Sequence, residues 1–582
     1  VSKYCAPITD MKFHIKGNSA IDNDDAGLIL DQAAEFSEQV WGSVNQHGDQ
    51  NGCRYKDGKV LLDPKIRDAF KAFSEAGWME ISMPEEWGGQ ALPEALSSKV
   101  SEMLTSTNQS LCMFTALTSS ACKALISFGN DELKQTYLHN MVSGNWTGTM
   151  CLTESHCGSD LGEIKSSAKI NADNSYAISG TKIFISTGDH DASDNIIHLV
   201  LARIKGAPEG IKGLSLFLVP KIFPDNNEYN SLSCIGIEEK MGIHSNPTCT
   251  MAFEEAKGFL VGEENGGIKA MFKMMNEMRL GTSLQGVGMS EQSFQASYQY
   301  AVERVQGQSL DKKLRGQTTG LIGHADVRRM LLTQKAFAEG GRAFCHYCAE
   351  LLDREKAGND AEAAKLLGLL TPIAKAFLTE TGQESASLAV QVYGGHGYIT
   401  ETGVEQIYRD GRISTLYEGT TGIQSLDLLG RKVLGDQGQA LMLFTKQLHV
   451  LSKSILKQDS DTELIQLAEQ VKTLSKEWPQ MIQNVGMKAL QDHGEVGAAA
   501  YDFLMYSGYV TLAYFWLEMA AKAEAKLQDN DTTTFSESFL KGKIKTAKFY
   551  FARILPRIQA HQAALQSGAE SLSLHEEDEW YF

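Results

Sequence analysis

Three short segments carry residues from which a reaction site could be built. The first is Met150-Cys-Leu-Thr-Glu-Ser-His-Cys-Gly-Ser-Asp160. Its small residues, hydroxyls and backbone N–H groups suit close approach to a planar ligand with a polar edge, although read alone it is equally a surface loop. The second is Gln391-Val-Tyr-Gly-Gly-His-Gly-Tyr398, in which a helix C-cap explains one glycine but not all three. The third runs from Arg409 to Gln424 as RDGRISTLYEGTTGIQ. There Glu418 follows an apolar and aromatic run and precedes a glycine turn, and Thr420 or Thr421 can cap a helix starting at Gly422. A carboxylate buried in such a place has its pKa raised, which suits a general base near neutral pH. A glutamate taken at random is a solvated surface residue, so Glu418 stands out only through its segment.

Other chemistries lack their signatures. The chain has no G-x-x-x-x-G-K-[ST] phosphate loop and no G-x-S-x-G elbow. Gly286-Val-Gly288 lacks the third glycine of a dinucleotide fingerprint and lies within a long helical pattern, so close helix packing is expected there. His156 with Cys157, and His346 between Cys345 and Cys348, do not complete a metal-ligand pattern, and no metal site is expected. The Cys345–Cys348 pair reads as core filler. Ten cysteines in 582 residues fall short of a disulfide framework, which favours a reducing, cytoplasmic setting. A net charge of −18 argues against a broad nucleic-acid footprint, and an anionic ligand needs a local cluster of Lys and Arg. No apolar core of a signal peptide is seen in the first twenty residues, and no run reaches the ~18 apolar residues of a membrane span. No membrane partner is expected.

A chain this long exceeds one hydrophobic core. Apolar residues repeat at three and four through DAGLILDQAAEFSEQVWGSV and PKIRDAFKAFSEAGWM, which makes residues 1–148 a helical domain. Residues 149–264 read as strands, with YAISGTKIFIS alternating across a Gly turn, followed by NIIHLVLARI and GLSLFLVPKI. Long helical patterns return over 265–435. Residues 436–582 are helical again and read as a separate addition beginning near GDQGQ, with the acidic HEEDEW as a solvated tail. Segregated elements of this kind give an α+β class, not an alternating parallel sheet.

Together these segments resemble the acyl-CoA dehydrogenase family over about residues 60–435. YEGTTGIQSLDLLGRKVL is the most specific stretch, with CLTESHCGSD and QVYGGHGY at matching distances. The opening YCAPITDMKFHI and the extra C-terminal region are similar to the long-polypeptide subgroup that includes 3-methylmercaptopropionyl-CoA dehydrogenase. The implied fold is a helical domain, a β domain and a helical bundle carrying the base, with an additional C-terminal helical domain. The implied reaction is FAD-dependent α,β-dehydrogenation of an acyl-CoA thioester, on the subgroup resemblance 3-methylmercaptopropionyl-CoA. A short- or medium-chain fatty acyl-CoA, or an oxidase using oxygen, is the alternative. An electron-transfer flavoprotein is the implied acceptor and a homodimer, or a tetramer, the implied assembly.

By the same resemblance Glu418 is the base. Cys151, Leu152 and Thr153 line the flavin edge, and Gly158 and Ser159 close that loop, with Ser159 also toward the pantetheine. Phe184 and Ser186 fall where the family places an aromatic residue, usually Trp, and a hydroxyl on the isoalloxazine. Arg304, Gln391, Gly394 and Gly395 match contacts to the FAD phosphates and adenosine of a neighbouring subunit, and Thr420 another adenine-side contact. Gly422 stands where the family often has Gln. Asn276, Arg279 and Arg431 match positions bordering the CoA site, with Asn276 and Met278 departing from a more polar pattern. Lys312, Lys313 and Arg315 lie in a basic, loop-like insertion that reads better as solvated than as a phosphate site. A relative that binds nucleic acid needs a basic C-terminal surface. From residue 440 onward 14 Lys and Arg face 18 Asp and Glu, a net of −4, with Lys541, Lys543, Lys545 and Lys548 as a local cluster.

Overall fold

The structure, a computed structural model, describes residues 4–15, 23–358, 360–457, 461–529 and 534–572. The acidic HEEDEW stretch lies outside them. Helices α1 (Ile8–Phe13), α2 (Asn23–Phe36), α3 (Gly42–Asn51), α4 (Pro64–Glu75), α5 (Glu94–Thr107), α6 (Gln109–Phe128) and α7 (Asp131–Val142) form the N-terminal layer. The start of α4 shows why they form. Asp63 caps it through Lys65 N, Pro64 occupies its first turn, and Ile66, Phe70 and Phe73 are buried on one face. This layer is not purely helical as expected. Strands β1 (Cys53–Lys56) and β2 (Lys59–Leu62) form a hairpin. Its turn, Asp57–Gly58, has φ of 53° and 74°, the Asp-Gly signature of a tight hairpin. The apolar count also underrated α6, which is long and apolar enough to cross a membrane by length and composition. Its Ser, Thr, Cys and Ala residues break an apolar run without adding charge. It is largely buried among its neighbours.

The middle of the chain supplies β3 (Trp146–Cys151), β4 (Ser167–Ile170), β5 (Tyr176–Ser186), β6 (Asn195–Ile204), β7 (Leu214–Pro220), β8 (Leu232–Ile237) and β9 (Thr248–Val261). The ring β6-β4-β5-β9-β7 closes through the β6–β7 pairing, while β3 runs parallel to β6 and β8 adds to β9. Gly180 is not a turn as expected. Strand β5 continues through it, paired to β9 on both sides, and the register shifts at the glycine. Ser166 Oγ occupies the space a side chain would need, 2.2 Å from an ideal Cβ.

The bundle comprises α8 (Gly267–Glu303), α9 (Ala325–Lys356), α10 (Ala361–Tyr393), α11 (Val404–Arg412) and α12 (Thr421–Leu426). The basic insertion forms another hairpin, β10 (Val305–Gln308) with β11 (Thr318–Gly320), whose Lys312, Lys313 and Arg315 are exposed. Gly286 is a packing glycine, since a Cβ there would meet Leu378 O of α10 at 2.2 Å. Cys345 and Cys348 are buried, and burial pushes both thiols up.

Helices α13 (Gln439–Leu456), α14 (Thr462–Ala489), α15 (Gly494–Gln528), α16 (Glu537–Phe549) and α17 (Ile558–Gln566) complete the described chain. They share one continuous apolar core with α8, α9 and α10 and are not a free-standing addition. Phe377 fills the notch left by Gly508, Phe344 stacks on Phe515, and Trp516 Nε1 donates to Ala336 O at 3.2 Å. Ionic contacts cross the same boundary. Buried Arg342 of α9 holds Asp10 at 2.5 Å, Glu102 through Nε at 2.8 Å and Glu291 at 2.6 Å. Lys543 of α16, 1% exposed, binds Asp10 and lies 2.8 Å from Glu339. The basic cluster seen in the sequence is therefore dispersed, with Lys543 inside the core and Lys541 and Lys548 paired to Glu537 and Glu463.

Candidate active site

Glu418 sits in the turn between α11 and α12, in the left-handed region at φ 56°. Such a conformation is costly for a side chain with a Cβ and persists only where the surroundings impose it. Three contacts impose it here. Gln424 Nε2 donates to Glu418 O at 2.9 Å, Lys375 Nζ donates to Gly419 O at 2.7 Å, and Thr420 caps α12 by accepting from Ile423 N at 3.2 Å. The helix thus starts at Thr421, one residue before the sequence reading placed it.

The turn aims a carboxylate inward and leaves it unpaired. Oε2 of Glu418 is buried and has no hydrogen-bond partner. Burial raises its pKa to about 7, against the pull of Arg279 and Lys375. Lys375 is fully buried, and burial lowers its own pKa to about 8. Arg279 is committed to Asp427 at 3.3 Å, and Arg431 Nε reaches the other Asp427 oxygen at 2.8 Å. The two cations therefore moderate the carboxylate without quenching it. Among the described residues none accepts a hydrogen bond from the Glu418 amide, which leaves an N–H donor beside the base.

A second strained residue marks the β domain. Phe184, at φ 57°, is 59% exposed on a bulge of β5 between Lys182 and Ile185. A bulky aromatic held in the left-handed region and turned to the surface has no packing rationale of its own. The bulge is clamped to the Cys151–Thr153 strand end. Ile183 N donates to Thr153 O at 2.9 Å, and buried Lys182 reaches Leu152 O at 3.0 Å and Glu154 Oε1 at 2.8 Å. Cys151 and Leu152 are buried, Thr153 and Ser186 partly exposed, and Gly158 and Ser159 exposed. A flat apolar ring beside an open strand end fits the planar ring system of a flavin, so the residues present fit FAD. Donor atoms of Glu154, His156 and Cys157 lie within 4.8 Å of one another. The Glu154 carboxylate, however, already accepts from Lys182, Lys165 N and Ser166 N.

The remaining sequence candidates fall into two groups. Arg304 at the end of α8, Gln391 in the last turn of α10, and Gly394 and Gly395 just after it are all exposed. Their elements are joined by Tyr300, which stacks on Tyr393 at 4.1 Å and bonds His396 at 3.2 Å. No hydrogen bond among the described residues ties this group to Phe184. Asn276 is exposed on α8, and together with Arg279, Asp427 and Lys432 it lines a cavity of about 260 Å³. Arg431 is exposed beside it.

Sequence reasoning missed Lys375, Gln424, Lys182 and the contacts of Tyr417. Lys375 did leave a signal, as the one charge in the apolar run LLGLLTPIAKAFL. Tyr417, next to the base, donates to Gln285 Oε1 at 2.5 Å. Gln285 lines a cavity of about 160 Å³ between α5, α6, α8 and α9, walled by Val100, Leu104, Cys112, Ala116, Met278 and Leu352 among others. Through Tyr417 and Gln285 the turn that carries the base is thus linked to a narrow chamber with a mixed apolar and hydroxyl lining.

Comparison with known proteins places this geometry in a family. Models of the acyl-CoA dehydrogenase N-terminal, middle and C-terminal domains match residues 24–145, 149–256 and 265–434. A model described as acetyl-CoA dehydrogenase C-terminal like matches residues 444–574. The 3-methylmercaptopropionyl-CoA dehydrogenase of Ruegeria pomeroyi is 37% identical across 98% of this chain and 99% of its own. The crystal structure of Caenorhabditis elegans ACDH-11 in complex with C11-CoA shares the fold at TM-score 0.78 and 19% identity, covering 98% of this chain and 95% of that one. An acyl-CoA dehydrogenase from Bacillus anthracis complexed with FAD does so at TM-score 0.71 and 20% identity, covering 98% and 92%. With its segments matched in order and a relative similar along its whole length, this chain belongs to the acyl-CoA dehydrogenase family of FAD-dependent oxidoreductases.

Proposed function

We propose that the enzyme oxidises a short acyl-CoA thioester, 3-methylmercaptopropionyl-CoA, to its α,β-unsaturated product, with Glu418 as the base. The carrying observation is the Glu418 carboxylate, its Oε2 buried and unpaired and its pKa raised by burial to about 7, on a turn linked through Tyr417 and Gln285 to a chamber of about 160 Å³. A base of that pKa removes a weakly acidic α-proton without needing alkaline conditions. The free Glu418 amide donates to the thioester oxygen as negative charge develops there, and the buried surroundings strengthen that bond. FAD, when bound, accepts the β-hydride. Leu152, Thr153, Phe184 and Ser186 hold its ring system, and Arg304, Gln391, Gly394 and Gly395 its phosphates and adenosine. Because the second group is exposed and tied to different elements, it serves the FAD of a second copy, and the assembly is a homodimer. Asn276, Arg279, Arg431 and Ser159 border the path of CoA.

The substrate rests on the similarity to the Ruegeria enzyme and on the size of the chamber, which suits a short chain. An electron-transfer flavoprotein is the proposed acceptor, and ten cysteines in 582 residues, too few for a disulfide framework, support a cytoplasmic setting. Dye-linked turnover of the purified, FAD-loaded protein over straight-chain acyl-CoAs and the thioether substrate tests the reading. A several-fold preference for 3-methylmercaptopropionyl-CoA supports it. Equal rates with butyryl- or hexanoyl-CoA withdraw the named substrate, and oxygen consumption without dye makes the enzyme an oxidase.

A further inference from the structure

The chamber linked to the Glu418 turn through Tyr417 and Gln285 ends on charge. Along α6 and α8, away from the Tyr417–Gln285 contact, its lining changes from apolar and hydroxyl residues to Lys123, Glu94 and Glu277. Lys123 Nζ is 2.7 Å from Glu94 Oε1 and 3.0 Å from Glu277 Oε2, and Lys356 binds Glu94 from the outside. The Lys123, Glu94 and Glu277 side chains are only 11–13% exposed. Asp353 fixes the turn that carries Glu94, accepting from Glu94 N at 2.7 Å and Ala95 N at 2.9 Å. Although burial opposes it, Lys123 and Lys356 hold the Glu94 pKa at about 2. Behind this cluster lies a second cavity of about 980 Å³, mostly apolar, lined by Met83, Pro84, Leu92, Leu96, Ile126 and Leu351 among others. Ser82, Lys123 and Glu277 face both spaces.

The geometry points to the Lys123–Glu94–Glu277 cluster as the end wall of the acyl pocket, restricting substrates to short acyl chains and shutting off the larger cavity behind it. This rests on the acyl-CoA reading of the Glu418 site. A cavity of about 150 Å³ holds a molecule the size of benzene, so the chamber takes about six heavy atoms. A longer chain must part the buried ion pairs. Breaking such a pair lowers binding by two to three orders of magnitude, whereas each added methylene recovers about fourfold. A chain only a few carbons past the wall is therefore rejected. Removing Lys123 opens the way and leaves Glu94 with Lys356 and Glu277 with Lys273, 4.0 Å away.

The test is the chain-length profile of the FAD-loaded enzyme and its Lys123→Ala variant, read as kcat/KM from butyryl- to dodecanoyl-CoA. The wild type should prefer chains of about six atoms or fewer. In Lys123→Ala the ratio of decanoyl- to butyryl-CoA should rise at least tenfold. Lys123→Gln, which keeps a donor toward Glu94, should give a smaller rise and serves if the alanine variant folds poorly. Binding of butyl- and decyl-CoA thioethers, which need no chemistry, reads the wall even if no acyl-CoA is turned over. Only the variants should hold the decyl compound as tightly as the butyl one. A wild type that already favours decanoyl-CoA, or profiles that coincide in rate and binding, overturns the proposal.

Discussion

The enzyme buries two groups of charges and treats them in opposite ways. Around Arg342 and Lys543, acids and bases from α1, α5, α8, α9 and α16 meet at hydrogen-bond distance. Burial opposes ionisation of Asp10, yet Lys543 and Arg342 hold its pKa well below the usual carboxylate range. Around Glu418 the cations that act on it are spoken for elsewhere, Arg279 by Asp427 and Lys375 by a backbone carbonyl. Desolvation therefore wins, and the carboxylate rises to about 7. Pairing turns buried charge into structure, whereas withholding the partner turns it into a base.

The contrast is broken most sharply at the base itself. Glu418→Gln removes the proton acceptor but little volume, so turnover should fall by about 10²- to 10⁴-fold while the protein stays yellow with FAD. Dye reduction and flavin absorbance check this, and near-normal turnover would assign the proton to another group. In the paired cluster, Arg342→Met takes the guanidinium from Glu102 and Glu291, leaves Asp10 to Lys543, and should cost about 3–5 kcal/mol in denaturant unfolding, with no direct effect on the pH profile of surviving enzyme. An unchanged midpoint would show that the network contributes little.

A smaller effect has opposite signs in the two places. The folded pKa of Glu418, about 7, lies above its ordinary 4.5, so the fold retains a proton that the unfolded chain has released. Stability therefore declines as pH rises from 4.5 to 7, and Glu418→Gln should stabilise the flavin-free protein by up to about 3 kcal/mol above pH 7 and not at all below 4.5. Asp10 runs the other way. Its depressed pKa contributes stability at neutral pH that is lost as pH falls below the ordinary carboxylate range. Thermal melts of both proteins across pH separate the two. Least in size, Lys375→Met removes a cation that favours ionised Glu418, and should move the acid limb of kcat/KM, expected near pH 7, upward by up to about one unit. A limb that stays in place removes Lys375 from the account.

The base's side of this contrast was legible in the sequence and the Arg342 network was not, for physical reasons. Helices, strands and their order follow from periodicity, and Glu418 from a recognised segment. Its burial and its strained φ do not, because they depend on Lys375 and Gln424 reaching the turn from other places in the chain. The β1–β2 hairpin was readable from Asp57-Gly58 but was lost among flanking helical patterns. Lys123 gave no warning. On α6 it is a single lysine in an apolar helix, and only the approach of Glu94 and Glu277 from two other helices makes it a wall.

The shared core of α9, α10 and α15 has a consequence for biosynthesis. A nascent chain that has not yet delivered α15 leaves Phe344 and Phe377 without Phe515 and Tyr509, which pack on them. Helix α10 also carries Lys375, which holds the Glu418 turn. The catalytic turn is thus made well before the end of translation but becomes firmly seated only once the C-terminal helices have left the ribosome, and until then the apolar face of the bundle is a surface for chaperones.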